Sequence, residues 1–293
     1  MDKTKIDWAD ATWNPVTGCL HGCEYCYARG IARRFGGHFK EYISEPGKLA
    51  EIKVKEEPEL IHVLNEPFEM RSGGDINGVF VIFSTEGKKY PYPFDFDPTL
   101  HRYRLGIPKR WQRPRNIFVC SMADLFGAWV PDEWIREVFN ACREAPRHRY
   151  MFLTKAPERF RDLLNKGVVF PENCWFGTSV TQSADAEKGI NDKIDWLTDT
   201  WPVSGVKWFV SVEPLLENLS DEAIENIAIT DWVIIGAETG QRKDRVIPEK
   251  AWVDRIVRCC WDHGTHVFMK NSLREIMGDD FIQQFPWEAN SNE

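Results

Sequence analysis

The densest chemistry in the chain is carried by three cysteines, Cys19, Cys23 and Cys26, in the run Cys19-Leu20-His21-Gly22-Cys23-Glu24-Tyr25-Cys26. The spacing is C-x3-C-x2-C, with an aromatic residue directly before the third cysteine. Thiolates are soft ligands, and crowded thiolates favour iron–sulfur clusters or zinc. A structural zinc site ordinarily takes four protein ligands in two paired knuckles. No second C-x2-C follows downstream. Three thiolates on a four-iron cluster leave one iron without a protein ligand, and an open iron binds a small molecule. The pattern points to chemistry more than to a staple. The alternative is a structural zinc ion with His21 as its fourth ligand.

The cysteine spacing with Tyr25 resembles the cluster motif of the radical S-adenosylmethionine (radical SAM) superfamily. The longer stretch from Trp8 to Cys19, WADATWNPVTGC, resembles a phage-associated three-cysteine family, with spore photoproduct lyase as a more distant relative. The resemblance resumes at Phe94 and runs to about Lys270. It implies a 4Fe-4S cluster on Cys19, Cys23 and Cys26, with S-adenosylmethionine bound at the open iron. It also implies a reductant for the cluster and a 5′-deoxyadenosyl radical that takes hydrogen from a substrate.

The elements that must position this loop are legible in the second half. Near-continuous apolar runs recur at 116–122, 149–155, 173–180, 207–213, 231–238 and 265–270. Such runs predict parallel strands buried on both faces. Helical patterns lie between them. Pro131-Asp132-Glu133, Pro157-Glu158 and Pro248-Glu249 each put proline and acid at a helix start, where proline loses no hydrogen bond and acid favours the dipole. Ile135, Val138, Phe139 and Cys142 then share one helix face. A strand ending near Asn14, the cysteine loop and a helix from Tyr27 to Phe35 add one more unit. The count predicts an α/β fold with a partial or full parallel (β/α) barrel. Residues 1–40 form its first unit, 41–93 an inserted lid or small subdomain with a strand at Gly78–Ser84 and a loop at Gly87–Phe94, and 94–293 the remainder.

In parallel barrels the working residues gather at the C-terminal strand ends. Those ends carry Ser121 and Asp124, Lys155, Ser179, Glu213, Gly236 and Glu238, and Lys270. The cysteine loop follows the first strand and so belongs to the same rim. Under the radical SAM resemblance, Tyr25 lies beside the cofactor and Lys155 meets its carboxylate. Ser121, Asp124 and Ser179 suit its amino group or ribose. Glu213 suits ribose or substrate, Gly236 lets the backbone approach adenine, and Glu238 accepts from a ligand N–H. The plainer alternatives are strand-end ion pairs for Lys155 and Glu213, and turn caps for Glu238 and Asp124. Cys120, Cys142, Cys174, Cys259 and Cys260 read as ordinary buried thiols.

Bulk properties narrow the classes. The hydrophobic fraction is 43%, ample for a core, and no apolar run reaches the length of a membrane span. Eight cysteines without a secretory signal predict thiols or metal ligands in a reducing, cytoplasmic compartment. The net charge of −8 argues against a globally basic nucleic-acid coat. One local stretch, 99–123, nevertheless holds Arg102, Arg104, Lys109, Arg110, Arg113 and Arg115 without an acid, interleaved with Tyr103 and Trp111. Arginine with aromatics suits phosphate contact and base stacking. The alternative is a solvated surface, or charges paired with the Glu-rich insertion. Two functions follow: a radical SAM enzyme acting on a nucleic-acid base or nucleotide-like substrate, or a metal-stabilised nucleic-acid-binding or phage accessory protein without catalysis.

Overall fold

A computed structural model of the chain describes residues 4–23, 26–36, 61–76, 79–186, 205–239 and 243–288. Tyr25, Gly78 and the 41–60 part of the expected insertion lie outside the described residues. The first elements are β1 (Ala11–Trp13), β2 (Val16–Thr17), α1 (Tyr27–Phe35), β3 (His62–Leu64), β4 (Glu69–Ile76), β5 (Val79–Lys89), β6 (Thr99–His101), α2 (Ile107–Arg110) and β7 (Asn116–Val119). They are followed by α3 (Asp132–Arg143), β8 (Arg149–Thr154), α4 (Glu158–Asn165), β9 (Cys174–Val180), β10 (Lys207–Val212), α5 (Asp221–Ala228), β11 (Trp232–Ile235), α6 (Lys250–Asp262), β12 (His266–Met269) and α7 (Arg274–Met277). Among the described residues no helix is long and apolar enough to cross a membrane.

These elements form two compact units. The first comprises Met1–Thr12, Arg113–Val119 and Cys142–Glu293; the second comprises Trp13–Gln112 and Cys120–Ala141. The first holds the expected parallel sheet, in the order β1-β7-β8-β9-β10-β11-β12. It curls into a half-barrel flanked by helices, with β1 and β12 as its edges.

Period-two alternation sorts the side chains of this sheet. Val210, Val212, Val233, Ile235, Val267 and Met269 pack on Ala223, Ile224 and Ile227 of α5 and on Val253, Ile256 and Val257 of α6. Ser220 caps α5 by accepting from the Ala223 N–H at 3.2 Å, and Asp221 and Glu222 fill the first turn. The opposite face carries Met151, Trp175, Phe209, Trp232, Ile234 and Phe268. Among the described residues no helix fills that face. Trp8 lies over it instead, 4.7 Å from the Phe118 ring and edge-on to Trp232 at 6.2 Å. Phe285 and Trp287 add further aromatic cover. A buried aromatic of this size contributes about 1.5–3 kcal/mol.

The second unit contains a three-stranded sheet, β2-β6-β3, and the β4–β5 hairpin. Two local readings change. The Gly87–Phe94 stretch is not all loop, because β5 runs through Lys89 with Arg71, Met70 and Glu69 as partners for Gly87, Lys88 and Lys89. Paired backbone outweighs the turn-like composition there. The strand expected over 116–122 stops at Val119, since Cys120 takes a positive φ of 59° and turns the chain out of the sheet. In addition β3, within the 41–93 segment, pairs parallel to β6.

Gly177 opposes Phe209 in the first unit, and a Cβ there would lie 2.6 Å from that ring. Gly177→Ala should therefore lower stability by about 1–3 kcal/mol in urea denaturation. Gly30 in α1 faces open space, and Gly30→Ala should instead raise stability by about 0.5–1 kcal/mol.

Candidate functional site

The cysteine loop is built inside the second unit. Gly18 carries φ +91°, and a side chain there would overlap the Asp97 carbonyl at 2.1 Å, so glycine is required directly before Cys19. The Gly18 N–H donates to the Met122 carbonyl at 2.9 Å, and the Cys19 N–H to the Phe96 carbonyl at 3.1 Å. Gly22, at φ +73°, turns the chain between His21 and Cys23. The Cys26 N–H returns to the Cys23 carbonyl at 3.3 Å, and Cys26 Sγ caps α1 by accepting from the Arg29 N–H at 3.4 Å. A sulfur in that position faces the positive end of a helix.

Cys19 and Cys26 pack against Ala28, Ala32, Phe96 and Met122. Burial pushes the Cys19 thiol up to about 12, with further increments from the negative charges of Asp124, Cys26 and Cys23. Cys23 is half-buried as well, and among the described residues the three sulfurs do not all lie within 4.8 Å of one another. Two buried donors belong to the same region: Arg29 Nε and Trp129 Nε1 have no hydrogen-bond partner among the described residues. Trp129 stands edge-on to His21 at 4.9 Å, and the Arg29 guanidinium lies 5.5 Å over Phe96. An all-sulfur ligand set with spare N–H donors fits an iron–sulfur cluster, whose sulfurs accept hydrogen bonds.

His21 and Asp124 form a dyad, Nε2 to Oδ2 at 2.7 Å. The other Asp124 oxygen accepts from the Phe126 N–H at 3.0 Å, so Asp124 is also the turn cap its alternative reading anticipated. Ser121 Oγ donates to Asn14 Oδ1 at 3.1 Å, and the Met122 N–H donates to the same oxygen at 3.0 Å. Tyr27 donates from its hydroxyl to the Ser121 carbonyl at 2.8 Å. Sequence reasoning missed Asn14, Trp129 and the His21–Asp124 pairing. Only the position of His21 inside the cysteine spacing signalled any of them.

The remaining expected site residues belong to the first unit. Lys155, Ser179, Glu213, Gly236, Glu238 and Lys270 all share the parity of the aromatic face, just past Met151, Trp175, Phe209, Trp232 and Phe268. Glu213 and Lys270 pair with one another, and a Cβ on Gly236 would touch Lys270 Cδ at 3.0 Å and Glu213 Cγ at 3.2 Å. These three stand together. Glu238 is buried and accepts from the Val246 N–H at 3.2 Å, the loop-closing role of its plainer reading. Lys155 and Ser179 are half-buried.

The basic run is divided by use. Arg102 makes a two-pronged ion pair with Glu137 of α3, Nε and Nη2 each at 2.8 Å. Arg104 donates to the Asn14 and Pro91 carbonyls and to Tyr103 Oη. Arg102, Arg104 and Tyr103 thus hold the second unit together. Arg110 and Arg113 are exposed, and Trp111 is half-buried. Of the other cysteines, Cys120, Cys142, Cys174 and Cys260 are buried as expected, but Cys259 is half-exposed. Adjacent residues on a helix point about 100° apart, and Cys260 takes the core side.

Fold and site together define an α/β half-barrel protein with a three-thiol loop. A family model described as "Protein of unknown function (DUF5131)" matches residues 3–84 and 83–274, and the chain belongs to that family. No curated protein and no solved structure matches it.

The raised Cys19 thiol has a direct readout. A rise from 9.0 to about 12 removes about three decades of thiolate at pH 8. In metal-free protein, Cys19 should alkylate on the order of a thousandfold more slowly folded than unfolded, and tenfold faster for each added pH unit below about 12. Mass spectrometry after timed iodoacetamide treatment measures this; equal rates would place Cys19 in solvent.

Proposed function

We propose that this chain is a radical SAM enzyme, with Cys19, Cys23 and Cys26 as ligands of a four-iron cluster, acting on a nucleic-acid base or nucleotide-like substrate. The observation that carries the reading is the thiol loop: a sulfur-only ligand set, sheltered by apolar side chains, with two buried N–H donors in its neighbourhood. When bound, such a cluster supplies an electron that cleaves the sulfonium of S-adenosylmethionine.

The chain's own residues supply position and shelter. The backbone bonds of Gly18 and Cys19 fix the first ligand, and the α1 cap orients Cys26. Arg29 Nε and Trp129 Nε1 are donors available to cluster sulfur, a contact that raises reduction potential. The His21–Asp124 bond orients the imidazole within the loop. Lys155 is assigned to the cofactor carboxylate on the radical SAM resemblance.

Anaerobic reconstitution should yield about four irons per chain. Replacing Cys19, Cys23 or Cys26 with alanine should abolish uptake, whereas Cys142→Ala should leave it. The reduced, loaded protein should release 5′-deoxyadenosine and methionine from S-adenosylmethionine. Lys155→Ala should weaken cofactor binding by about 1.5–3 kcal/mol if a charge-assisted contact is lost. Zinc held by these three cysteines, with no iron taken up, would overturn the enzyme and leave a metal-stabilised binding protein.

The substrate reading rests on exposed Arg110 and Arg113 and on half-buried Trp111. Binding to single-stranded DNA or RNA should fall with salt, as counterion release requires. Arg110→Ala with Arg113→Ala should flatten the slope by about one unit per lost phosphate contact. Arg102→Ala should not change the slope, because Glu137 already holds that guanidinium. Trp111→Ala should weaken binding with the slope unchanged, since stacking is not ionic. No binding at low salt, with iron intact, would move the substrate to a small molecule.

A further inference from the structure

The first unit contains another set of metal-binding side chains, on its helical layer. Cys259 and His263 lie one turn apart on α6 and at its C-cap, and Glu225 reaches them from α5. One donor atom from each lies within 4.8 Å of the other two. Cys259 Sγ is 3.8 Å from His263 Nδ1, and His263 Nε2 is 3.4 Å from Glu225 Oε2.

The hydrogen bonding of His263 fixes its tautomer. Nδ1 lies 2.9 Å from the Cys259 carbonyl oxygen. A carbonyl only accepts, so Nδ1 carries the hydrogen and the neutral ring keeps its lone pair on Nε2. That lone pair faces a carboxylate oxygen, and two electron-rich atoms at this distance need a cation between them. A proton would make an exposed His263–Glu225 ion pair, with the Cys259 thiol donating to Glu225. A metal ion engages all three donors. The Nδ1–H to carbonyl bond is also the support that ligating histidines usually have. The charges of Asp221 and Asp262 also bear on Cys259 and add to the attraction for a cation.

We propose that Glu225, Cys259 and His263 form a site for a zinc-class divalent cation, built from residues other than those of the three-cysteine loop. Mixed sulfur, nitrogen and oxygen donors suit zinc, which takes thiolate, imidazole and carboxylate at about 2.0–2.3 Å. Tetrahedral ligands at those lengths stand about 3.3–3.8 Å apart; the Nε2–Oε2 separation of 3.4 Å already falls in that range, and Cys259 Sγ, 3.8 Å from Nδ1, would turn toward Nε2 to close the site. Three protein ligands leave the fourth position to water. The ion ties α5 to α6, and the Gly264 turn at φ +73° fixes the end of the helix that carries two of the ligands.

Cobalt titration of the full chain under anaerobic conditions tests the site. The chain should bind one more equivalent of cobalt than Cys259→Ser, with a thiolate-to-cobalt charge-transfer band in the difference spectrum. Comparing the two subtracts whatever the three-cysteine loop binds. His263→Gln and Glu225→Gln should each weaken the same equivalent, by about tenfold or more. Zinc should displace the cobalt and raise the melting temperature of the chain but not of Cys259→Ser. Iron uptake on reconstitution should be the same in all three variants, which separates this site from the cluster. Equal cobalt binding and equal spectra for the chain and Cys259→Ser would overturn the proposal and leave a His–Glu ion pair beside a thiol.

Discussion

A parallel sheet must have both faces covered, and the way this one is covered sets what the first unit has to offer a ligand. Helices α5 and α6 seal one face with aliphatic side chains. On the other, Trp8, Trp175, Phe209, Trp232 and Phe268 fill the space that a helix would take. The aromatic filling follows the strands only part of the way. Beyond it, the same parity brings Lys155, Ser179, Glu213, Gly236, Glu238 and Lys270 to the C-terminal ends. Had the apolar residues continued, those ends would be core. Because they stop, charged side chains stand there, and Glu213 and Lys270 satisfy each other. Such a partly exposed pair is weak, so an incoming carboxylate or amine can take over one partner at small cost.

The second unit solves a different problem. Backbone bonds from Gly18, Cys19 and Cys26 set the course of its cysteine loop, and Cys19 and Cys26 pack against Ala28, Ala32, Phe96 and Met122. Burial disfavours the ionised form of Cys19, with further increments from the negative charges beside it. A loop that carries three soft donors, Cys19 among them in a setting hostile to its free charge, is suited to bind a cation and release protons in doing so.

Strands and helices of the sheet were legible in the sequence because their signals are local. Apolar runs give the strands, and proline with acid gives the starts of α3, α4 and α6. The helix at Tyr27–Phe35 was read to its ends, since Cys26 and Gly36 bound it. Partnerships across long stretches of chain were not legible. His21 meets Asp124 across 103 residues, and Arg102 meets Glu137 across 35. Nothing in the composition of a basic run says which arginines the fold will use. Arg102 and Arg104 serve the structure, and Arg110 and Arg113 do not share those bonds. Cys259 was misread for a geometric reason: adjacent helical residues point about 100° apart, so Cys260 is fully buried while Cys259 packs half-exposed at the margin of the same core.

The two sets of donors differ in kind, and that difference sorts metals. The loop set is sulfur only, close to apolar residues, and fixed by backbone. The α5–α6 set mixes sulfur, nitrogen and oxygen on partly exposed side chains. Softness favours iron–sulfur chemistry or zinc at the first and a borderline divalent ion at the second. Total zinc in a preparation therefore says nothing about the loop, since the surface set accounts for one equivalent by itself. Only zinc that survives the loss of Cys259 and disappears with Cys19, Cys23 or Cys26 bears on whether the loop is a structural site. Iron lost with those three cysteines, and kept without Cys259, belongs to the loop by the same logic.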